Sequence, residues 1–98
     1  MPEPAGYRST RWLSCASFNR KDTSVILDRL YALCDEANIE IRPLWKPMHM
    51  QPVFSGAKFV GPGKCERLFR TGVCLPSGSG MRDEEQTRVI EVIRQAIG

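Results

Sequence analysis

Four side chains in one proline-rich run are of types that bind or transform ligands. They are Arg42, Trp45, Lys46 and His49, set in Arg42-Pro43-Leu44-Trp45-Lys46-Pro47-Met48-His49-Met50-Gln51-Pro52-Val53-Phe54. Arg42 and Lys46 stand four apart, and in extended backbone an even separation puts both on one side. From there Arg42 offers a planar fork and Lys46 a point charge to a phosphate or carboxylate. An ion pair of Arg42 with Glu40 or Asp35 is the competing use. Trp45 has a flat face to stack on a ligand or to cover the edge of a core. His49, the only histidine, titrates near neutrality and suits acid–base work, ligand contact or a structural hydrogen bond. No serine or cysteine nucleophile is tied to it by spacing, so no residue is assigned a catalytic role.

Other chemistry is poorly represented. Gly61-Pro62-Gly63-Lys64 lacks the spacing of a phosphate loop and the hydroxyl residue after its lysine. The turn Ser77-Gly78-Ser79-Gly80 offers backbone N–H groups to an anion, or simply reverses the chain. Cys15, Cys34, Cys65 and Cys74 contain no C-x₂₋₄-C pair and His49 has no second histidine, so no metal site is expected. Three of the four cysteines fall in apolar segments, where the thiol acts as a small hydrophobe, and a disulfide framework is not expected. Ten arginines and four lysines against eleven carboxylates leave a net charge of +3. They are scattered without a block, which describes a solvated surface better than a nucleic-acid face.

The elements that must position the proline run follow from periodicity and punctuation. Each proline forbids regular helix and drives its predecessor towards extended geometry, so residues 42–54 form a shaped loop of the kind that faces ligands or partners. Trp12 to Phe18 reads as a first strand. Ile26, Leu30, Leu33 and Ala37 recur at helical spacing from about Thr23, with Asp22 or Thr23 as N-cap and Asn38 as the left-handed close. Ile39 to Ile41 reads as a second strand that aims the loop. Residues 55–63 are glycine-rich, a short helix is predicted over Lys64 to Thr71 with Leu68 and Phe69 inward, and Val73 to Pro76 reads as a third strand. Asp83, Glu84 and Glu85 suit the start of a closing helix, with Val89, Ile90, Ile93, Ala96 and Ile97 as its apolar stripe.

That order implies an α+β domain, a small three-stranded sheet with about three helices packed on one face, because each helix has one stripe to bury. At 98 residues one core is affordable and a second domain is not. Residues 1–10 are expected to be a flexible lead-in, without the apolar core of a signal peptide. No stretch is long and apolar enough for a membrane span, and the expected compartment is the cytoplasm.

Together with Glu66-Arg67-Leu68-Phe69, Gly72-Val73-Cys74-Leu75-Pro76-Ser77-Gly78-Ser79 and Arg88-Val89-Ile90-Glu91-Val92-Ile93, the proline run resembles the C-terminal part of the DegT-type aminotransferases, from about Tyr7 to the end. These pyridoxal-phosphate enzymes aminate nucleotide-linked keto-sugars, and Arg42-Pro43-Leu44-Trp45-Lys46-Pro47-Met48-His49 is similar to the branch serving surface polysaccharide and glycoprotein glycans. The resemblance implies the small domain of a fold-type I enzyme, closing over the cleft of a homodimeric parent. Arg42, Trp45, Lys46 and His49 would then face the sugar nucleotide and the amino-acid donor. It also implies that the Schiff-base lysine and the other cofactor groups belong to an N-terminal domain, with no cofactor held here. Arg82 stands where the family commonly has threonine or serine, so that helix cap must be weak or come from elsewhere. A stand-alone, non-catalytic interaction module of the same fold is the alternative reading.

Overall fold

A computed structural model describes residues 3–98; Met1 and Pro2, the first residues of the expected lead-in, lie outside them. Three strands, β1 (Ser14–Ser17), β2 (Arg42–Pro43) and β3 (Gly72–Leu75), form one antiparallel sheet in the order β1-β3-β2. Cys15 faces Cys74 across the first pair and Arg42 faces Cys74 across the second. Three helices complete the chain: α1 (Thr23–Glu36), α2 (Lys64–Thr71) and α3 (Asp83–Ile97). The architecture is the small α+β domain that the periodicities imply.

Alternation along the strands decides which face is buried. Ala16, Val73 and Leu75 turn one face of the sheet towards α1 and α3, where Leu30, Cys34, Ile41, Val92 and Ala96 close the core. Leu30 and Val73 are 0% exposed and form its centre. Burial raises the Cys34 thiol and the Tyr31 phenol above their usual values, because each charged form would lose water.

Helix α1 ends in a Schellman motif. Asn38 takes φ 52°, its N–H donates to the Asp35 carbonyl at 3.0 Å, and the Ile39 N–H donates to the Cys34 carbonyl at 2.8 Å. That motif displaces the second strand from its expected place. Ile39 is still engaged in the helix terminus, so pairing with β3 begins only at Arg42, while Ile39 and Ile41 pack on the core without joining the ladder. The N-terminal cap also differs from expectation. Asp22 makes a two-point ion pair with Arg20, Nε at 3.0 Å and Nη2 at 3.1 Å, and the Thr23 hydroxyl donates to the Arg20 carbonyl at 2.7 Å. Neither side chain caps a helix N–H group.

The stripe of α3 is turned from its expected setting: Val92 and Ala96 are buried and Val89 and Ile93 half-buried, whereas Ile90 is 40% exposed and Ile97 also reaches solvent. Positions 89, 92, 93 and 96 make the better helical face, since they follow the i, i+3, i+4, i+7 rule. On α2, Phe69 is half-buried but Leu68 is exposed. Arg82 cannot accept a helix N–H as a hydroxyl would; Glu85 instead reaches back to the Arg82 N–H at 2.8 Å and pairs with its guanidinium. Those bonds hold the Glu85 carboxyl below its usual value, the backbone bond first.

The radius of gyration is 15.7 Å, against about 13 Å for a compact domain of this length. The excess lies with the segments outside the core. Tyr7, Trp12, Trp45, Val53 and Val60 all stay largely exposed.

Candidate functional site

Two short 3₁₀ turns, Met48–Met50 and Pro52–Phe54, give the proline run its shape, the second opening on a proline that presets its backbone angle. The run leaves the sheet at Pro43, which has no N–H to donate and so suits the edge position of β2. Leu44 then lies over Gly72, and its N–H donates to the Gly72 carbonyl at 3.4 Å. Past that anchor Trp45 swings out, 62% exposed, and meets Trp12 with ring centroids 5.7 Å apart and planes tilted by 37°. Tilted contacts of this kind suit aromatic quadrupoles better than a face-to-face sandwich.

The two indoles stand at one side of an open groove of about 940 Å³, whose other walls include Arg42, Cys74, Ser77 and Arg88. That volume falls within the range of small-molecule sites. Its cations are already engaged in part: Arg42 Nε donates to Glu40 Oε1 at 2.7 Å, and Arg88 donates to the Ala37 carbonyl. The Ser77 hydroxyl donates to the Leu75 carbonyl at 3.3 Å and accepts the Ser14 N–H at 3.3 Å. A flat ring against the indoles and an anionic group near the arginines would both find partners. The lining holds no histidine, and neither hydrogen bond of the Ser77 hydroxyl is to a base.

The loop residues therefore separate. Arg42 and Trp45 line the groove; Lys46 is exposed but does not line it. His49 lies away from it, its Nε2 at 2.8 Å from Glu66 Oε1 on α2 and its ring stacked on Phe59 at 3.9 Å between centroids. The structural hydrogen bond, one of the three uses open to it, is therefore formed. Trp12, Glu66 and Phe59 were not among the candidate site residues read from the sequence. Trp12 reads there as the start of a strand, and no spacing rule links position 49 to position 66 across a glycine-rich connection.

Lysine positions test whether pyridoxal phosphate fits this chain. Lys21, Lys46, Lys58 and Lys64 are all exposed, and none lines the groove. A Schiff-base lysine has to sit inside a shaped site that also holds the ring nitrogen and phosphate. Among the described residues the side chains do not make such a site. No group of three or more histidine, cysteine, aspartate or glutamate residues is placed to hold a metal there either.

The small α+β body thus presents a ligand-sized groove beside the proline run. The chain belongs to the DegT/DnrJ/EryC1/StrS aminotransferase family, whose pattern matches residues 2–94. It is 48% identical over 98 residues to EpsN of Bacillus subtilis (strain 168), named as a pyridoxal phosphate-dependent aminotransferase. That alignment takes in 95% of this chain and 24% of the relative, so the chain spans about a quarter of the length of the curated relative it matches.

Proposed function

We propose that this chain is the C-terminal small domain of a pyridoxal-phosphate-dependent aminotransferase that aminates a nucleotide-linked keto-sugar in surface polysaccharide or glycan biosynthesis. The observation that carries the reading is a disproportion: the family pattern covers nearly the whole chain, yet the chain covers only 24% of an aminotransferase relative. No lysine lines the groove, which supports a reading in which an N-terminal domain of the parent holds the cofactor. When bound there, the cofactor supplies the carrier for the amino group. No step is assigned to it on these residues.

In this reading the small domain closes the cleft, excludes water and orients the substrate. Arg42, Trp45 and Lys46 face the nucleotide-sugar and the amino-acid donor, with glutamate the donor by family habit. His49, bonded to Glu66, fixes the loop that presents them. The exposed Trp12 and Trp45 surface supports contact with a further body, and a homodimeric parent would supply it. The cytoplasm is the compartment proposed, supported by the cysteine used as apolar filling at position 34.

A chimera tests the reading directly. The corresponding C-terminal segment of EpsN is replaced by this chain, and amino transfer from glutamate to nucleotide-linked keto-sugars is assayed beside the 98-residue chain alone. The chimera is expected to turn over and the lone chain to give neither transfer nor saturable cofactor binding. A folded, cofactor-loaded chimera inert towards every such sugar, or transamination by the lone chain, would overturn it.

A further inference from the structure

We propose that Cys15 and Cys74 are a redox-modifiable pair that closes into a reversible disulfide between β1 and β3. Three observations meet here. The first is register: the two residues are direct partners in the antiparallel pair. The Phe18 N–H donates to the Thr71 carbonyl at 2.9 Å, and Phe18 stands opposite Thr71 when the register is extended by one. Narrow hydrogen-bonded pairs alternate with wide ones, so 18/71, 16/73 and 14/75 are bonded pairs and 15/74 is not. In a non-hydrogen-bonded pair the Cα atoms approach to about 4.5 Å, inside the roughly 4.4–6.8 Å that a disulfide spans.

The second observation is the sulfurs themselves, already 3.7 Å apart. Closure to a bond of about 2.05 Å calls for side-chain rotation and no change of strand register. The third is access. Cys15 is exposed on an edge strand, while Cys74 is buried beside it and lines the groove. Burial pushes the Cys74 thiol up, and its neighbour Cys15 adds to the shift; the exposed Cys15 is the sulfur that meets oxidant first. Cys34, 2% exposed inside the core, is shielded.

With a peroxide as oxidant the atoms and electrons balance. The Cys15 thiolate attacks one peroxide oxygen, the O–O bond breaks, and the departing oxygen leaves as water after taking a proton. The Cys74 sulfur then displaces the hydroxyl of the resulting sulfenic acid, the S–S bond forms, and the second oxygen leaves as water with the Cys74 proton. Two thiols lose two electrons in all, and one peroxide gains them. The bond ties together residues 59 apart, so it restricts the unfolded chain strongly, and it clamps to β3 the strand that directly follows Trp12 and Leu13. It does not depend on the proposed transaminase role.

The test uses the 98-residue chain carrying Cys65→Ser, which removes the exposed thiol on α2. Treatment with hydrogen peroxide is expected to join the tryptic peptides 12–20 and 71–82 with the loss of two hydrogens, reversibly with dithiothreitol. It is also expected to raise Tm by on the order of 10 °C. Adding Cys15→Ser should abolish both the linked peptide and the rise. Peroxide treatment that leaves both thiols free, or takes Cys15 to sulfinic acid without a linked peptide, overturns the proposal, as does a link formed only after denaturation. The peptide map of the Cys65→Ser chain decides the matter even if the double variant fails to fold.

Discussion

Leu44 of the proline run sits on Gly72 of the central strand so closely that a Cβ added there would meet its side chain. The same Cβ would stand 2.9 Å from the Leu68 carbonyl oxygen. Leu44 can rotate; the carbonyl at the end of α2 cannot move without shifting the helix. Gly72 has φ −123°, an angle open to any residue, so its role is space and not backbone freedom. Gly72→Ala should therefore destabilise the fold by about 1–3 kcal/mol, less about 0.4–1 kcal/mol gained from a stiffer unfolded chain. Urea unfolding checks this, through a lower midpoint at unchanged slope.

The His49–Glu66 bond joins the loop to α2, and both side chains are partly shielded from water. His49→Ala removes the bond and the stack on Phe59 together, and should cost roughly 1–2 kcal/mol. Glu66→Gln keeps a hydrogen-bonding partner and should cost less. A double-mutant cycle over His49→Ala and Glu66→Ala is expected to give a coupling of about 0.5–1.5 kcal/mol. A coupling of zero would show that the two side chains are neighbours without being partners.

Legibility differed by level. The three helices were readable because apolar positions recur over several turns; α1 and α2 begin where the signals put them, at Thr23 and Lys64. The second strand was misplaced because apolar alternation reports burial: Ile39 and Ile41 are packed on the core while the hydrogen-bond ladder forms at Arg42 and Pro43. The α3 stripe was read with Ile90 and Ile97 in place of Val92, since in a helix with this many β-branched residues two neighbouring faces both look apolar. In the loop, the prolines announced a shaped segment, but not which side chains would share a groove. Trp12 reaches Trp45, and His49 reaches Glu66, only once the sheet and α2 are in place.

Acid should weaken the start of α3. The Glu85 carboxyl is held below its usual value of 4.5, first by the Arg82 N–H and then by the Arg82 guanidinium. A group whose folded pKa is depressed adds stability that is fully present above its unfolded pKa and is lost as pH falls through the folded one. The contribution of Glu85 is thus present above pH 4.5 and fades below it. Asp22, lowered by Arg20 from 3.8, fades further into acid. Thermal melts of the native chain and Glu85→Gln should differ above pH 4.5 and converge as the pH drops. A difference that persists unchanged into strong acid would mean that the cap does not depend on charge.

Trp45 gives the sharpest check on the groove. It is 62% exposed and rests against Trp12, an arrangement that leaves a broad aromatic surface in water at the mouth of a ligand-sized cavity. Aromatic stacking is worth roughly 0.5–1.5 kcal/mol beyond area burial. In the EpsN chimera, Trp45→Ala should therefore raise KM for the nucleotide-sugar about 2- to 10-fold. Because the indole of Trp45 offers stacking surface and no proton-transfer group, kcat should change far less. Trp12→Ala should act in the same direction through loss of its partner's support, and the two effects should be less than additive, since one stack is lost in either case. His49→Ala, away from the groove, should affect KM only as far as it loosens the loop, and Glu66→Gln should reproduce part of that loss. A Trp45→Ala chimera with unchanged KM and a lowered melting temperature would instead assign the indole to packing against the rest of the parent.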